Sequence, residues 1–252
     1  MPTLVTIPFS HFCEKARWAL DHARVDYTEE GHTPLLHRRA VARVKGQGGS
    51  VPVLALDGDG VLDESSLIVR WADARASSDR KLLPSGGREL DEALALERHL
   101  DLELAPHVRR FAYFHILPDR ARALELMRLS TPTTEHTIVR FGYPLLRRLM
   151  ERAMRIDAEH AERSRDMVRT IFDQMSRRLD DGRPFLMGDR FGAIDITFAA
   201  FASPLLAPPQ HPIRRLTQAD FPPGLRAEGV SLGETPAGRF ASRVYRDHRM
   251  LP

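Results

Sequence analysis

Three short motifs in the first 70 residues carry groups that can hold an anion or an amino-acid-like ligand. The first is Ser10-His11-Phe12-Cys13, directly after an apolar run and directly before a helical pattern. A helix N-terminus offers unpaired backbone N–H groups and the positive end of the helix dipole. A hydroxyl placed there can donate to an anion, and a thiolate is such an anion. The same residues also read as an ordinary helix start, with Ser10 as cap and Glu14 a turn later. The second motif is Val51-Pro52, after Gly46-Gln47-Gly48-Gly49-Ser50. Proline removes a backbone donor, so this is either an edge-strand proline or, with a cis bond, a point where the backbone of Val51 faces an extended ligand. The third is Asp63-Glu64-Ser65-Ser66 at a helix start. Acids there cap a helix. Alternatively, Glu64 takes a ligand ammonium while Ser65 and its backbone take a carboxylate.

Cys13 is the only cysteine, which excludes an internal disulfide and a multi-cysteine zinc site. Its position invites a redox reading, but the fourth place of the motif points into helix packing, where a free cysteine acts as a small hydrophobe. His107 and His115 lie two helical turns apart with no acid to complete a metal site, so no metal is expected.

The elements that must position these groups come in two patterns. Through the first 78 residues, strand and helix signals alternate in the order β-α-β-α-β-β-α. Strands are expected at Thr3–Pro8, around Val25, Tyr27 and Glu29, at Val51–Leu56, and at Val61–Leu62 after the turn Asp57-Gly58-Asp59-Gly60. Helices are expected at Glu14–Ala23 and Ser65–Ala74, with a short basic helix or irregular piece from Pro34 to Val44. Residues 79–88 are polar and rich in Ser, Gly and Pro, and read as a linker. From 89 to 252 the pattern is helical: 89–114 with a kink or break at Pro106, then 120–129, 136–155, 158–180, an apolar helix ending near Leu206, and 235–248. Residues 207–235 hold many prolines and glycines and read as an irregular surface segment. Residues 137–155 form a basic amphipathic stretch that fits a membrane surface, a partner helix, or a solvated face over a core.

Composition narrows the classes. The 252 residues are 42% hydrophobic and 28% charged, as in an ordinary soluble protein. No apolar run approaches the roughly 18 to 20 residues of a membrane span. The N-terminus lacks the pattern of a secretory signal, so a cytoplasmic location is expected. The net charge of +3 comes from interleaved signs, and nucleic-acid binding is not expected.

Taken together, the motifs resemble the glutathione S-transferase family, in its bacterial, serine-type cytosolic form. The order and spacing carry the resemblance: Ser-x-x-Cys at a first helix, Val-Pro about 40 residues on, and Glu-Ser 12 residues past the proline. It implies a thioredoxin-like N-terminal domain with a mixed four-stranded sheet at 1–78, followed by an all-helical C-terminal domain at 89–252. It implies glutathione as co-substrate, with Ser10 serving its sulfur, Phe12 beside it, Val51 and Pro52 pairing with the cysteinyl part, Glu64 and Ser65 holding the γ-glutamyl end, and His37 near the glycine carboxylate. Phe111, Tyr113 and His115, on the first long helix of the second domain, are implied to meet a small hydrophobic electrophile between the domains. Gly188 to Thr197 resembles the family's buried helix start, in which Asp195 accepts backbone N–H groups while Phe191 and Ile196 form a hydrophobic staple. Two departures stand out: Gly192 occupies the usual Ser or Thr cap, and Ser50 the place where many relatives hold a lysine or glutamine, for which His37, Lys45 or Gln47 are the available substitutes. The implied protein is a detoxifying transferase, commonly a homodimer. A glutathione-dependent reductase or dehalogenase differs only in the electrophile, and a non-catalytic adaptor on the same fold is the rival from another class.

Overall fold

The computed structural model describes residues 1–58, 60–213 and 217–249. Four strands, β1 (Thr3–Thr6), β2 (Thr28–Gly31), β3 (Val53–Ala55) and β4 (Val61–Leu62), form one mixed sheet in the order β2-β1-β3-β4. β1 runs parallel to β2 and antiparallel to β3, which is antiparallel to β4. Side chains alternate across the sheet. Val5 and Val53 pair in register and pack on Ala40 and Val41 of α2 (His37–Lys45). Leu4 and Leu54, the neighbouring pair, point to the other face and are fully buried. Each such side chain contributes about 1.5–3 kcal/mol when removed from water. α1 (His11–His22) and α3 (Ser65–Arg75) pack side by side. The second strand starts at Thr28 rather than near Val25, because Arg24 turns with φ 55° and the Val25 N–H is tied to the Leu20 carbonyl.

The chain divides into two units. The first joins Met1–Lys81 with Arg120–Arg148, and the second joins Leu82–Asp119 with the chain from Leu149 onward. Two helices supply the inserted part of the first unit: α6 (Arg120–Arg128) and most of α7 (Thr133–Met154). Ser130, between them, brings its carbonyl so close to Gly31 that a Cβ there would sit 2.3 Å away, which is why the end of β2 is a glycine. Glu135, in the first turn of α7, accepts from the N–H and hydroxyl of Thr33 at 2.7 and 2.8 Å and meets His32 Nδ1 at 2.6 Å.

In the second unit, α4 (Gly87–His99) passes through a π-helical turn at Leu100–Leu104 into α5 (Ala105–Ile116). Pro106 has no N–H to donate. It falls just after the widened turn, at the start of α5, so the rod continues rather than breaking. α8 (Ala158–Arg178) packs along α5, and α9 (Ala193–Leu206) is buried along almost its whole length. α11 (Pro236–His248) and α10 (Pro223–Gly233) cover α9. α10 corrects the expectation of irregular chain through 207–235. Its prolines sit at the helix start, where no N–H is needed, and Gly229 lies where a Cβ would meet the Leu205 carbonyl at 2.3 Å. Among the described residues, no helix is long and apolar enough to cross a membrane.

Candidate functional site

The strand register brings the three motifs to one end of the sheet. β1 is antiparallel to β3, so the chain leaving Thr6 and the chain entering Val53 lie at the same end of the sheet, and the Ser10 N–H closes a turn onto the Ile7 carbonyl at 2.8 Å. β4 is antiparallel to β3, so the chain that runs from Leu62 to Glu64 leaves from that same end. The end of β2 parallels the end of β1, and from it the chain leads through Thr33 to His37. Four segments distant in sequence thus meet where β1, β2 and β4 end and β3 begins.

Ser10 is the N-cap residue of α1, with extended backbone, and its side chain makes no capping hydrogen bond. Its hydroxyl neighbours the Cys13 sulfur and favours the thiolate there, an effect smaller than that of burial. Cys13 is fully buried, and that burial pushes its pKa up to about 12 against the pull of Arg17. The thiol is therefore protonated at neutral pH, a buried neutral side chain behind Ser10. Phe12 is half-buried, with its ring centroid 4.8 Å from that of buried His11.

The Val51–Pro52 bond is cis. The Val51 side chain packs against the Val5, Ala40, Val41 and Val53 cluster, which anchors that backbone. Glu64 is exposed and is the N-cap residue of α3, again without a side-chain capping bond. Ser65, the first helical residue, is buried. His37 opens α2 beside the carbonyls of Thr33 and Gly49, so it stands next to the loop that enters Val51. Its Nδ1 is buried without a hydrogen-bond partner among the described residues, and burial shifts its pKa below the usual histidine range. Lys45, at the end of α2, is ion-paired with Asp63, and that bond holds the Asp63 carboxyl below the usual carboxylate range. Gln47 and Ser50 are exposed.

Two family models match the chain: the glutathione S-transferase N-terminal domain over residues 4–80 and the glutathione S-transferase C-terminal domain over residues 158–227, together more than half of its length. The chain belongs to the glutathione S-transferase family. No curated protein matches it in sequence. Among solved structures, this family member is similar to a glutathione S-transferase from Xanthobacter autotrophicus Py2, at TM-score 0.63 and 15% identity over 100% of this chain and 94% of that one. One from Sinorhizobium meliloti 1021 gives TM-score 0.60 and 20% identity over 99% and 100% of the two chains. Glutathione S-transferase-I, solved with lactoylglutathione bound, gives TM-score 0.57 and 16% identity over 96% and 99%. At these identities the likeness is one of fold.

The transferase-family chain carries its other expected residues in the second unit. On α5, Phe111 and His115 are one turn apart and their rings meet edge to face at 4.8 Å, with Phe114 5.2 Å from His115. Tyr113 projects from the other side of the helix, so the helix does not bring the three together. Phe111 is buried, and Tyr113 and His115 are half-buried. Burial lowers the His115 pKa below the usual histidine range, which favours the neutral ring. Gly224 lies against that ring, and a Cβ at Gly224 would sit 2.4 Å from His115 Cε1. Asp195 is fully buried and accepts from the N–H groups of Leu186 and Gly192, each at 2.8 Å. Gly192 has a steric reason: a Cβ would stand 2.7 Å from the Leu82 carbonyl, which accepts from Ala193 at 2.8 Å. Ile196 is buried in α9, and Phe191 stacks on His248 with centroids 4.2 Å apart. No group of three or more His, Cys, Asp or Glu among the described residues could hold a metal ion.

One charged cluster behind Ser10 was not legible in the sequence. Arg17 is buried and bonds Glu14 at 2.6 Å and Glu29 at 2.6 and 2.9 Å, while Thr6 donates to Glu29 at 2.7 Å. Burial opposes the charge on Glu29, but the bonds from Arg17 and Thr6 outweigh it and leave the Glu29 pKa lowered. α1 is consequently buried on almost every side, including Glu14 and Lys15. The only sequence signal was the i, i+3 pair Glu14 and Arg17, which is equally common on solvated helix faces.

Proposed function

We propose that the protein is a glutathione transferase in which the Ser10 hydroxyl stabilises the glutathione thiolate for attack on a small hydrophobic electrophile. One observation carries the reading. α1 starts at a serine whose hydroxyl is not spent on capping, at the same sheet end as Val51–Pro52 and Glu64–Ser65. An ordinary thiol has a pKa near 8.5, so little thiolate is present at pH 7. Lowering it by two units takes about 2.7 kcal/mol. One charge-assisted hydrogen bond and the α1 dipole supply that together. The thiol proton leaves to solvent, the sulfur bonds to the electrophilic carbon, and the leaving group departs with the displaced electron pair. Ser10 donates a hydrogen bond and forms no covalent bond.

In this reading Glu64 takes the γ-glutamyl ammonium, Ser65 its carboxylate, the Val51 backbone with Pro52 the cysteinyl unit, and His37 the glycine end, with Phe12 lining the thiol. Phe111 and His115, which share one side of α5, face the electrophile, and Tyr113, on the other side, is left out of that group. Glutathione is the only co-substrate and no metal takes part. We place the protein in the cytoplasm as a homodimer, after the habit of its family.

The decisive experiment is titration calorimetry with glutathione at pH 7 on wild type and Glu64→Ala. Binding in the micromolar to low-millimolar range, lost in the variant, is expected. No heat and no thermal shift at several millimolar glutathione overturns the reading. The adaptor alternative has one observation in its favour. Lys45, a candidate for the role left open by Ser50, is occupied by Asp63. Retention on immobilised glutathione separates the two.

A further inference from the structure

Half of the large apolar side chains exposed among the described residues lie on α7: Ile138 (54% exposed), Phe141 (80%), Leu145 (64%) and Leu149 (44%). Their spacing of three, four and four residues sets them in one row, about 17 Å long at the helical rise of 1.5 Å per residue. A surface helix normally shows one apolar face. α7 shows two, because Val139, Tyr143, Leu146 and Met150 form a separate face that is buried. The outward row is thus surplus to the fold. It is also held in place, since Glu135 fastens the start of the helix to Thr33 and His32, and Arg120 donates to the Arg140 carbonyl at 2.7 Å.

Charge decides what covers the row. Arg148 and Arg152 are exposed on the same side of the helix as the row, while Arg140 (exposed) and Arg147 (half-buried) project from the opposite side. The acids of α7 are Glu135, which is buried, and Glu151, which is half-buried. A second copy docking face to face would set Arg148 and Arg152 against their own equivalents, since a two-fold contact pairs a patch with itself. An anionic phospholipid surface answers both features at once, accepting Phe141, Leu145 and Ile138 below the headgroups and pairing the arginines with phosphates.

We infer that α7 is an interfacial helix that docks the protein on anionic bilayers. The inference is independent of glutathione binding. The test is cosedimentation of the full chain with sucrose-loaded vesicles, either phosphatidylcholine alone or an equimolar mixture with phosphatidylglycerol. Wild type pellets with the mixed vesicles and not with the neutral ones. F141D/L145D and R148Q/R152Q each lose about tenfold or more in partitioning, as expected when either the apolar or the basic part of such a face is removed. All four positions are exposed, so both variants keep the wild-type melting temperature, and each checks the other. Absence of wild-type pelleting, or undiminished pelleting of either variant, overturns the inference. So does a halving of the light-scattering mass in F141D/L145D, which would assign the row to a second copy of the chain.

Discussion

At the scale of single residues, Ser10 and Cys13 divide the chemistry between a hydroxyl and a thiol. The thiol is the intrinsically better nucleophile, but full burial pushes its pKa up to about 12 and keeps it protonated. A glutathione-activating role for Ser10 therefore predicts that Ser10→Ala lowers kcat/KM about 10- to 100-fold and moves the pH–rate midpoint up toward the free-thiol value near 8.5. An unchanged pH–rate profile removes Ser10 from the reaction. Cys13→Ala should leave turnover within about threefold while costing about 1–2 kcal/mol of stability from the small cavity it leaves. Loss of thiol-transfer activity in that variant would make Cys13 the nucleophile. The residue types at these positions were legible in the sequence because helix starts have a local signature. The Arg17, Glu14 and Glu29 cluster was not, because its members become partners only when β2 is laid beside β1.

Among the elements, the start of α9 gives the sharpest structural test. Asp195 is held by two backbone N–H donors, yet burial dominates and raises its pKa to about 7. Asparagine would turn an NH2 toward one of those donors, so Asp195→Asn should cost about 1–3 kcal/mol. The pH dependence has a definite sign. The folded pKa exceeds the unfolded value near 3.9, so the folded state binds the extra proton and the Asp195 contribution is present below about pH 4. It is lost as pH rises through about 7. Equilibrium unfolding of wild type and variant across that range should show the wild-type advantage shrinking as pH increases. A constant difference would mean that Asp195 does not titrate there. The other instructive element is α10, whose prolines and glycines masked a helix. A proline is harmless in the first turn, and a glycine against a neighbouring carbonyl is a packing requirement rather than a breaker.

For the whole molecule, the first unit is discontinuous, and that bears on how far a 1–78 domain stands alone. The segment 120–148 supplies the carboxylate that satisfies the Thr33 N–H and hydroxyl. A fragment ending at residue 81 would leave those groups and His32 without that carboxylate. It should melt well below the full chain or show no cooperative transition, as differential scanning calorimetry can establish. An equally stable fragment would mean that α7 contributes nothing to the first unit. By itself the sequence determined the alternation of strands and helices, the all-helical remainder, the helix-start motifs and the family resemblance. These are written in local periodicity and fixed spacing. Only the tertiary structure decided which motifs share a sheet end, that Lys45 is taken by Asp63, that Gly192 is a glycine because of the Leu82 carbonyl, and that α7 packs with the first unit while an apolar row stays outside. Each of these depends on contacts between segments far apart in the chain, and no local pattern encodes such contacts.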